Sequence, residues 1–247
     1  GTLNQREDDM LARIDGGRGI ATSEDGLVNL TYGNCVGGAT VHYWADSYRT
    51  PPDRLALWES RYGVEGHSQD ELRPYFEQIE RDLHIHPAAE EYYNGNNRLF
   101  RRGAQALGWR AEPVPQARKG CLKSGYCMQG CSYDAKQSML VTYLPRALRA
   151  GALLYSDCRV DGIRVENGRA TGVAASFLDR ATGLANGRRL DARARIVVLA
   201  AGGYGSAPIL LRSRVANESR QVGKNLHANP CSMIFGRFDE EVVMWRN

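Results

Sequence analysis

The stretch RIVVLAAGGYGSAPILLRS, residues 195–213, limits the possible folds more than any other. Ile196 to Ala200 is an unbroken apolar run without polar alternation, the pattern of a strand buried on both faces of a parallel sheet. It leaves through Gly202 and Gly203 into a helix-like segment, so the stretch reads as one strand-turn-helix unit of an α/β fold. Small residues there leave backbone N–H groups bare at the carboxyl end of a sheet, where such folds bind nucleotides and a helix N-terminus attracts phosphate. A plain tight turn would place glycines in the same positions.

Composition narrows the field further. The chain has 247 residues, 43% hydrophobic and 24% charged, which is ordinary for a globular protein with one large domain or two small ones. Its 32 basic and 28 acidic residues nearly balance, and neither sign forms a block that would follow a phosphate backbone, so nucleic acid is not the expected partner. No apolar run reaches the eighteen residues of a membrane span, and the opening GTLNQREDDMLARI lacks the layout of a signal peptide. The first residue is Gly, consistent with a processed piece or a fragment.

Local patterns supply the expected elements. QREDDMLARID, stopped at Gly16 and Gly17, reads as a short helix, and Leu55 to Leu83 as two helices broken at YGVEGHS. Ser68 and Glu71 form the capping-box pair for the second of these. NNRLFRRGAQALGW is a further helix ending near Gly108, and DAKQSMLVTYLPRALRAGA is helical to Gly151 with Pro145 kinking or dividing it. Alternation then signals a hairpin turning at Asn167 and Gly168, followed by a second turn in RATGLANGRR.

Two stretches carry chemistry. In YGNCVGGATVHYW, Gly33, Gly37 and Gly38 permit close backbone approach, and His42, Tyr43 and Trp44 offer planar surfaces with polar edges. Ordinary core packing accounts for the same residues. KGCLKSGYCMQGCSYDAKQS holds Cys121, Cys127 and Cys131 within eleven residues. The spacing is not that of a zinc site, and two- or four-iron clusters normally take four thiolates. Three thiols suit a three-iron cluster, a disulfide, or small buried side chains. Lys136 reads first as a solvated lysine, and otherwise as a donor to the turn's carbonyls or to a neighbouring phosphate, and His84 and His86 as surface residues rather than metal ligands.

Four patterns in order resemble the glucose-methanol-choline (GMC) flavoprotein oxidoreductases: GGATVH at Gly37 to His42, WESRYGVEGHSQDELRPYFEQIERDLHI, AAGGYGSAPILLRS and VGKNLHANP. Ala39 departs from the usual serine or threonine, Ala207 from the commoner proline, and Asn229 from a frequent histidine. The resemblance implies an incomplete α/β, FAD-binding Rossmann-like fold with helical insertions and a β-hairpin. It implies a flavin domain portion over residues 1–227 and the start of a substrate domain over 228–247. The nearest members are the bacterial sugar or gluconate dehydrogenase-like and alcohol oxidase-like ones.

The resemblance also implies FAD as cofactor. Gly37, Gly38, Thr40 and His42 would lie along the flavin, Val160 at the adenine end, and Ala201 and Gly202 at the ribose and diphosphate. The reaction would be oxidation of a CH–OH group of an alcohol, polyol or sugar by hydride transfer to flavin. Cys121, Cys127 and Cys131 would hold a three-iron iron-sulfur cluster relaying electrons to a cytochrome or other acceptor subunit. The sequence does not fix the compartment: a soluble protein of a bacterial cytoplasm or periplasm, or one membrane-associated through a partner, is compatible with it. Related alcohol oxidases carry a cysteine-rich turn without a cluster. No GxGxxG occurs in the chain, and no catalytic residue is assigned, since the family's histidine segment has no counterpart before Asn247. The competing readings are a non-catalytic electron-transfer or metal-binding module and an inactive piece of the same fold.

Overall fold

A computed structural model describes residues 3–227 and 234–244. The chain divides into two compact units: Gly1–Ala152 with Arg237–Asn247, and Leu153–Gly236. The expected passage between flavin and substrate domains, at 227/228, adjoins residues 228–233, so Asn229, Pro230 and Cys231 lie outside the described residues.

The first unit is mainly helical. Helix α1, Glu7–Ile14, buries Met10 and Ile14 and ends not on a glycine but on Asp15 in extended conformation. Helix α2, Pro52–Tyr62, starts with Pro52 at its first position and closes on Gly63 at φ +65°. In α3, Gln69–Asp82, Ser68 Oγ accepts the Glu71 N–H while the Glu71 carboxylate accepts the Ser68 N–H. Helix α4, Gly95–Ala106, is capped the same way by Asn94 and Asn97. Strand β1, Ile85–Pro87, pairs antiparallel with β2, Pro115–Ala117. Ala45, Leu83 and Ala117 form a small core there, with Tyr43, Ile85, Met139 and Tyr143 packed against it.

The long helix expected from Asp134 to Gly151 is only α5, Tyr143–Arg149. Pro145 sits in its first turn, where a missing N–H breaks no helical bond, so it opens the helix instead of kinking it. The preceding residues take other bonds: Arg118 and Lys136 form an antiparallel bridge, and the Gln137 N–H donates to Ala117.

The second unit is a three-stranded antiparallel sheet in the order β3, β4, β5, with one described helix. Strands β3, Cys158–Glu166, and β4, Arg169–Leu178, turn at Asn167 and Gly168, both at positive φ as the hairpin pattern demands. Strand β5, Ala185–Arg193, takes in residues expected to be turn, because the reversal is complete by Leu184. Helix α6, Gly202–Ser213, packs on β3, and Ser213 Oγ accepts the Ile163 N–H at 2.8 Å.

The apolar run before α6 corrects an expectation. Residues 196–200 form no strand, and Ile196 and Val198 are 79% and 81% exposed. A buried parallel strand takes its ladder bonds from neighbours, and no strand among the described residues pairs with this run.

Candidate cofactor loop and cysteine turn

The loop from Gly33 to Tyr43 is closed by contacts that only glycine allows. A side chain at Gly33 would stand 2.5 Å from the Ala39 backbone. Gly37 lies at φ +97°, and a Cβ there would press on Val41 at 2.7 Å and Leu140 at 3.0 Å. These glycines let a single 3₁₀ turn, Gly38–Val41, fold over the loop. Thr40 locks it: its hydroxyl donates to the Gly37 carbonyl at 2.6 Å and accepts the Met139 N–H at 2.9 Å.

His42 is buried beneath that turn. Its Nδ1 lies 2.5 Å from the Met128 carbonyl, an atom that can only accept, so Nδ1 carries a proton. Its Nε2 has no hydrogen-bond partner and stands 3.7 Å from Asp15 Oδ1. Asp15 is buried as well, and its carboxylate accepts the N–H groups of Gly19 at 2.7 Å and Tyr32 at 2.8 Å.

Lys136 is not a solvated lysine: it is buried, at 4% exposure. Its Nζ donates to the carbonyls of Val41 at 2.6 Å, Tyr43 at 2.9 Å and Cys127. Burial draws the ammonium down to about 8, against the pull of the nearby Cys127, Cys131 and Cys35 thiols. Its bridge partner Arg118 is also buried, stacked 4.1 Å over the Tyr92 ring, with Nε and Nη2 unpartnered. Neither cation has an ion-pair partner among the described residues.

The three thiols of the cysteine turn are half-buried and unbonded to one another. Burial pushes the Cys127 thiol up, partly offset by Lys136 and Arg118. Cys35, raised by burial too, lies near the same ammonium. The structure does not gather Cys121, Cys127 and Cys131 into a ligand set: among the described residues, no group of three or more His, Cys, Asp or Glu is placed to hold a metal ion. Two buried positive charges beside the turn disfavour a bare cation there.

The second unit contributes Val160, Ala201 and Gly202. Val160 sits on β3 next to a bulge, and its carbonyl faces Arg212 Nη2 at 3.5 Å. Ala201 precedes α6 without a side-chain cap, leaving the helix's first N–H groups free of that competition. A Cβ on Gly202, at φ +71°, would meet nothing within 4 Å, and the same holds for Gly38 in the first unit. The backbone is therefore open at Gly38 and at Gly202, each within its own unit, and packed at Gly33 and Gly37. Two surface hollows lie elsewhere in the first unit, one against Gly95, Leu99 and Val242, the other lined by Glu77, Ile85 and His86.

Residues 12–231 match the GMC oxidoreductase family. The chain belongs to that family. Its matched portion is the family's FAD-binding domain, whose fold is an α/β one, here with antiparallel sheets and helices. An uncharacterized GMC-type oxidoreductase of Mycobacterium tuberculosis is 35% identical over 89% of this chain and 34% of its own length. A long-chain-alcohol oxidase of Arabidopsis thaliana is 27% identical over 90% of the chain and 30% of its own length. A 2-methyl-1,2-propanediol dehydrogenase of Mycolicibacterium austroafricanum is 29% identical over 78% of the chain and 40% of its own length. The chain therefore spans about a third of the relatives it matches. No helix among the described residues is long and apolar enough to cross a membrane.

Sequence reasoning passed over Asp15 and Arg118 and set Lys136 aside. Asp15 and Arg118 carry no motif. For Lys136, only its neighbour Ala135, also buried, hinted that the segment turns inward.

Proposed function

We propose that the protein carrying this chain is an FAD-dependent oxidoreductase that oxidises a CH–OH group of an alcohol or polyol. The observation that carries this reading is the family match across residues 12–231, in which the open Gly38 and Gly202 backbones fall within the expected flavin-binding stretches. FAD, when bound, supplies the acceptor for the hydride of the carbinol carbon. The chain's own residues bind and orient it. Gly37, Gly38, Thr40 and His42 form one wall, with Thr40 and His42 stiffening it by bonds to Gly37, Met139 and Met128. Val160, Ala201 and Gly202 serve the nucleotide end, where uncapped helical N–H groups favour phosphate.

No base is assigned to this chain. His42 is buried with Nδ1 committed, and His67, His84 and His86 are exposed. The alcohol class is supported by the long-chain-alcohol oxidase and the propanediol dehydrogenase among the relatives; nothing favours a sugar over these. An electron relay from a cluster at Cys121, Cys127 and Cys131 to a cytochrome has no supporting observation among the described residues.

The test uses the full protein that carries this chain. Purified, it should show the two-band visible spectrum of bound flavin, bleached anaerobically by a long-chain primary alcohol or a short diol. A colourless protein that takes up no added FAD removes the reading. A broad brown absorbance with stoichiometric iron would restore the relay.

A further inference from the structure

The ammonium of Lys136 sits in a buried nest of backbone carbonyls. Three carbonyl oxygens from two separate segments, Val41 and Tyr43 on the loop and Cys127 on the cysteine turn, converge on its three N–H donors. The same two segments are joined once more by His42 Nδ1 and the Met128 carbonyl. Each of these bonds lies within the first unit and reaches across more than eighty residues of sequence, apart from that to Cys127.

A buried charge without a carboxylate partner is costly, so the site needs all three charged hydrogen bonds. An apolar residue of the same length would spare the desolvation but leave the Val41 and Tyr43 carbonyls without this donor, and the Cys127 carbonyl with the Gly130 N–H alone. A donor with three branches bonds both ends of the 41–43 backbone to the turn at once, beside the single His42 to Met128 link. Thr40 then anchors the preceding residues to Met139, three residues after Lys136, so the loop is held from both ends by the segment 136–139.

We propose that Lys136 is a positioning residue for the cofactor loop, its ammonium fixing residues 38–43 against the cysteine turn at Cys127 and Met128. The inference rests on the FAD reading for the importance of the loop, but the positioning itself is a property of this chain. The cysteine turn acquires a role in it: a change of backbone at Cys127 is transmitted to Val41 and Tyr43 through one nitrogen atom.

The experiment compares wild-type full protein with Lys136→Met and Lys136→Ala. The first measurement is amide hydrogen exchange without FAD. In Lys136→Met, exchange should rise at least about tenfold at residues 39–43 and 127–128, a shift of ~1.4 kcal/mol in local opening, while α3 and α4 stay protected. The second is FAD titration, where the dissociation constant should rise about tenfold with the KM for the alcohol within about twofold. In Lys136→Ala, propylammonium chloride should restore FAD affinity where sodium chloride of equal strength does not.

Unchanged exchange at 39–43, or a rise spread evenly over the unit, overturns the proposal. So does equal rescue by both salts. If neither variant folds, nitrogen-15 spectra of the wild-type protein decide: a tied ammonium gives one slowly exchanging lysine Nζ signal, and its absence sinks the inference. Failure of the wild type to bind FAD would strike the functional reading while leaving the exchange result to judge Lys136 separately.

Discussion

Two glycine-bearing stretches drew attention in the sequence, and they behave in opposite ways. The loop from Gly33 to Tyr43 is held from within: Thr40, His42 and Lys136 tie it to Gly37, Met139, Met128 and Cys127. The run from Ile196 to Gly203 carries the stronger fold signature yet lies exposed, without a strand partner among the described residues. The difference is one of where the bonding groups come from. A loop can satisfy its polar atoms with side chains of its own chain, whereas a strand buried on two faces depends wholly on neighbours.

The sharpest attack on this contrast is at Asp15. Replacing it by Ala leaves the Gly19 and Tyr32 N–H groups unmatched under the loop, and should lower the unfolding free energy by about 3 kcal/mol in urea titrations. A loss below about 1 kcal/mol would mean that water takes over those bonds.

Next come the glycines. Gly37→Ala combines a left-handed backbone with contacts at 2.7 and 3.0 Å and should cost about 2 to 3 kcal/mol. Gly202→Ala has the backbone strain alone and should cost about 1 kcal/mol, yet weaken FAD binding in the full protein. Equal costs would erase the distinction between a packed and an open glycine.

Alkaline titration tests Lys136 in a third way. Its folded value of about 8 lies below the usual lysine value of 10.5, so between these limits the unfolded chain holds a proton that the folded one has released. Stability contributed by this group therefore rises with pH across that window, by at most ~3 kcal/mol, and is lost as pH falls through 8. Cys35 and Cys127, raised by burial, act in the opposite sense above their unfolded value of 9.0. The quantity to follow is thus the difference between wild type and Lys136→Met, which should grow in favour of the wild type from pH 8 to 10.

The smallest effect belongs to the exposed run. Val198→Ser should change the stability of the 247-residue chain by no more than about 0.5 kcal/mol. In a protein that supplies neighbouring strands it should cost about 2 kcal/mol. The same substitution measured in both settings reads directly how far the run is completed from elsewhere.

What the sequence disclosed was local. Ser68 with Glu71 announced α3, and Asn167 with Gly168 announced the hairpin, because each pattern carries its own hydrogen bonds within a few residues. The helices between Pro52 and Ala106 followed from apolar spacing together with their break and stop signals. The family patterns at 37–42 and 200–213 marked these stretches as the expected flavin contacts, but not what holds them. Lys136 looks like any surface lysine until Val41 and Tyr43 are seen over it, and Asp15 gains meaning only from Tyr32 and His42. Strands β1 and β2, three residues each and interrupted by prolines, leave no periodic trace. Polar β5 looked like turn because its side chains are exposed almost throughout.

That exposed outer strand has a further consequence. Arg188, Arg189, Asp191 and Arg193 crowd charge along β5, which has no second neighbour among the described residues, with Asp191 engaged by Arg164 of β3. Another chain seeking to extend the ladder there would have to bring its backbone past that fringe and desolvate it, so the rim discourages fibre-like growth.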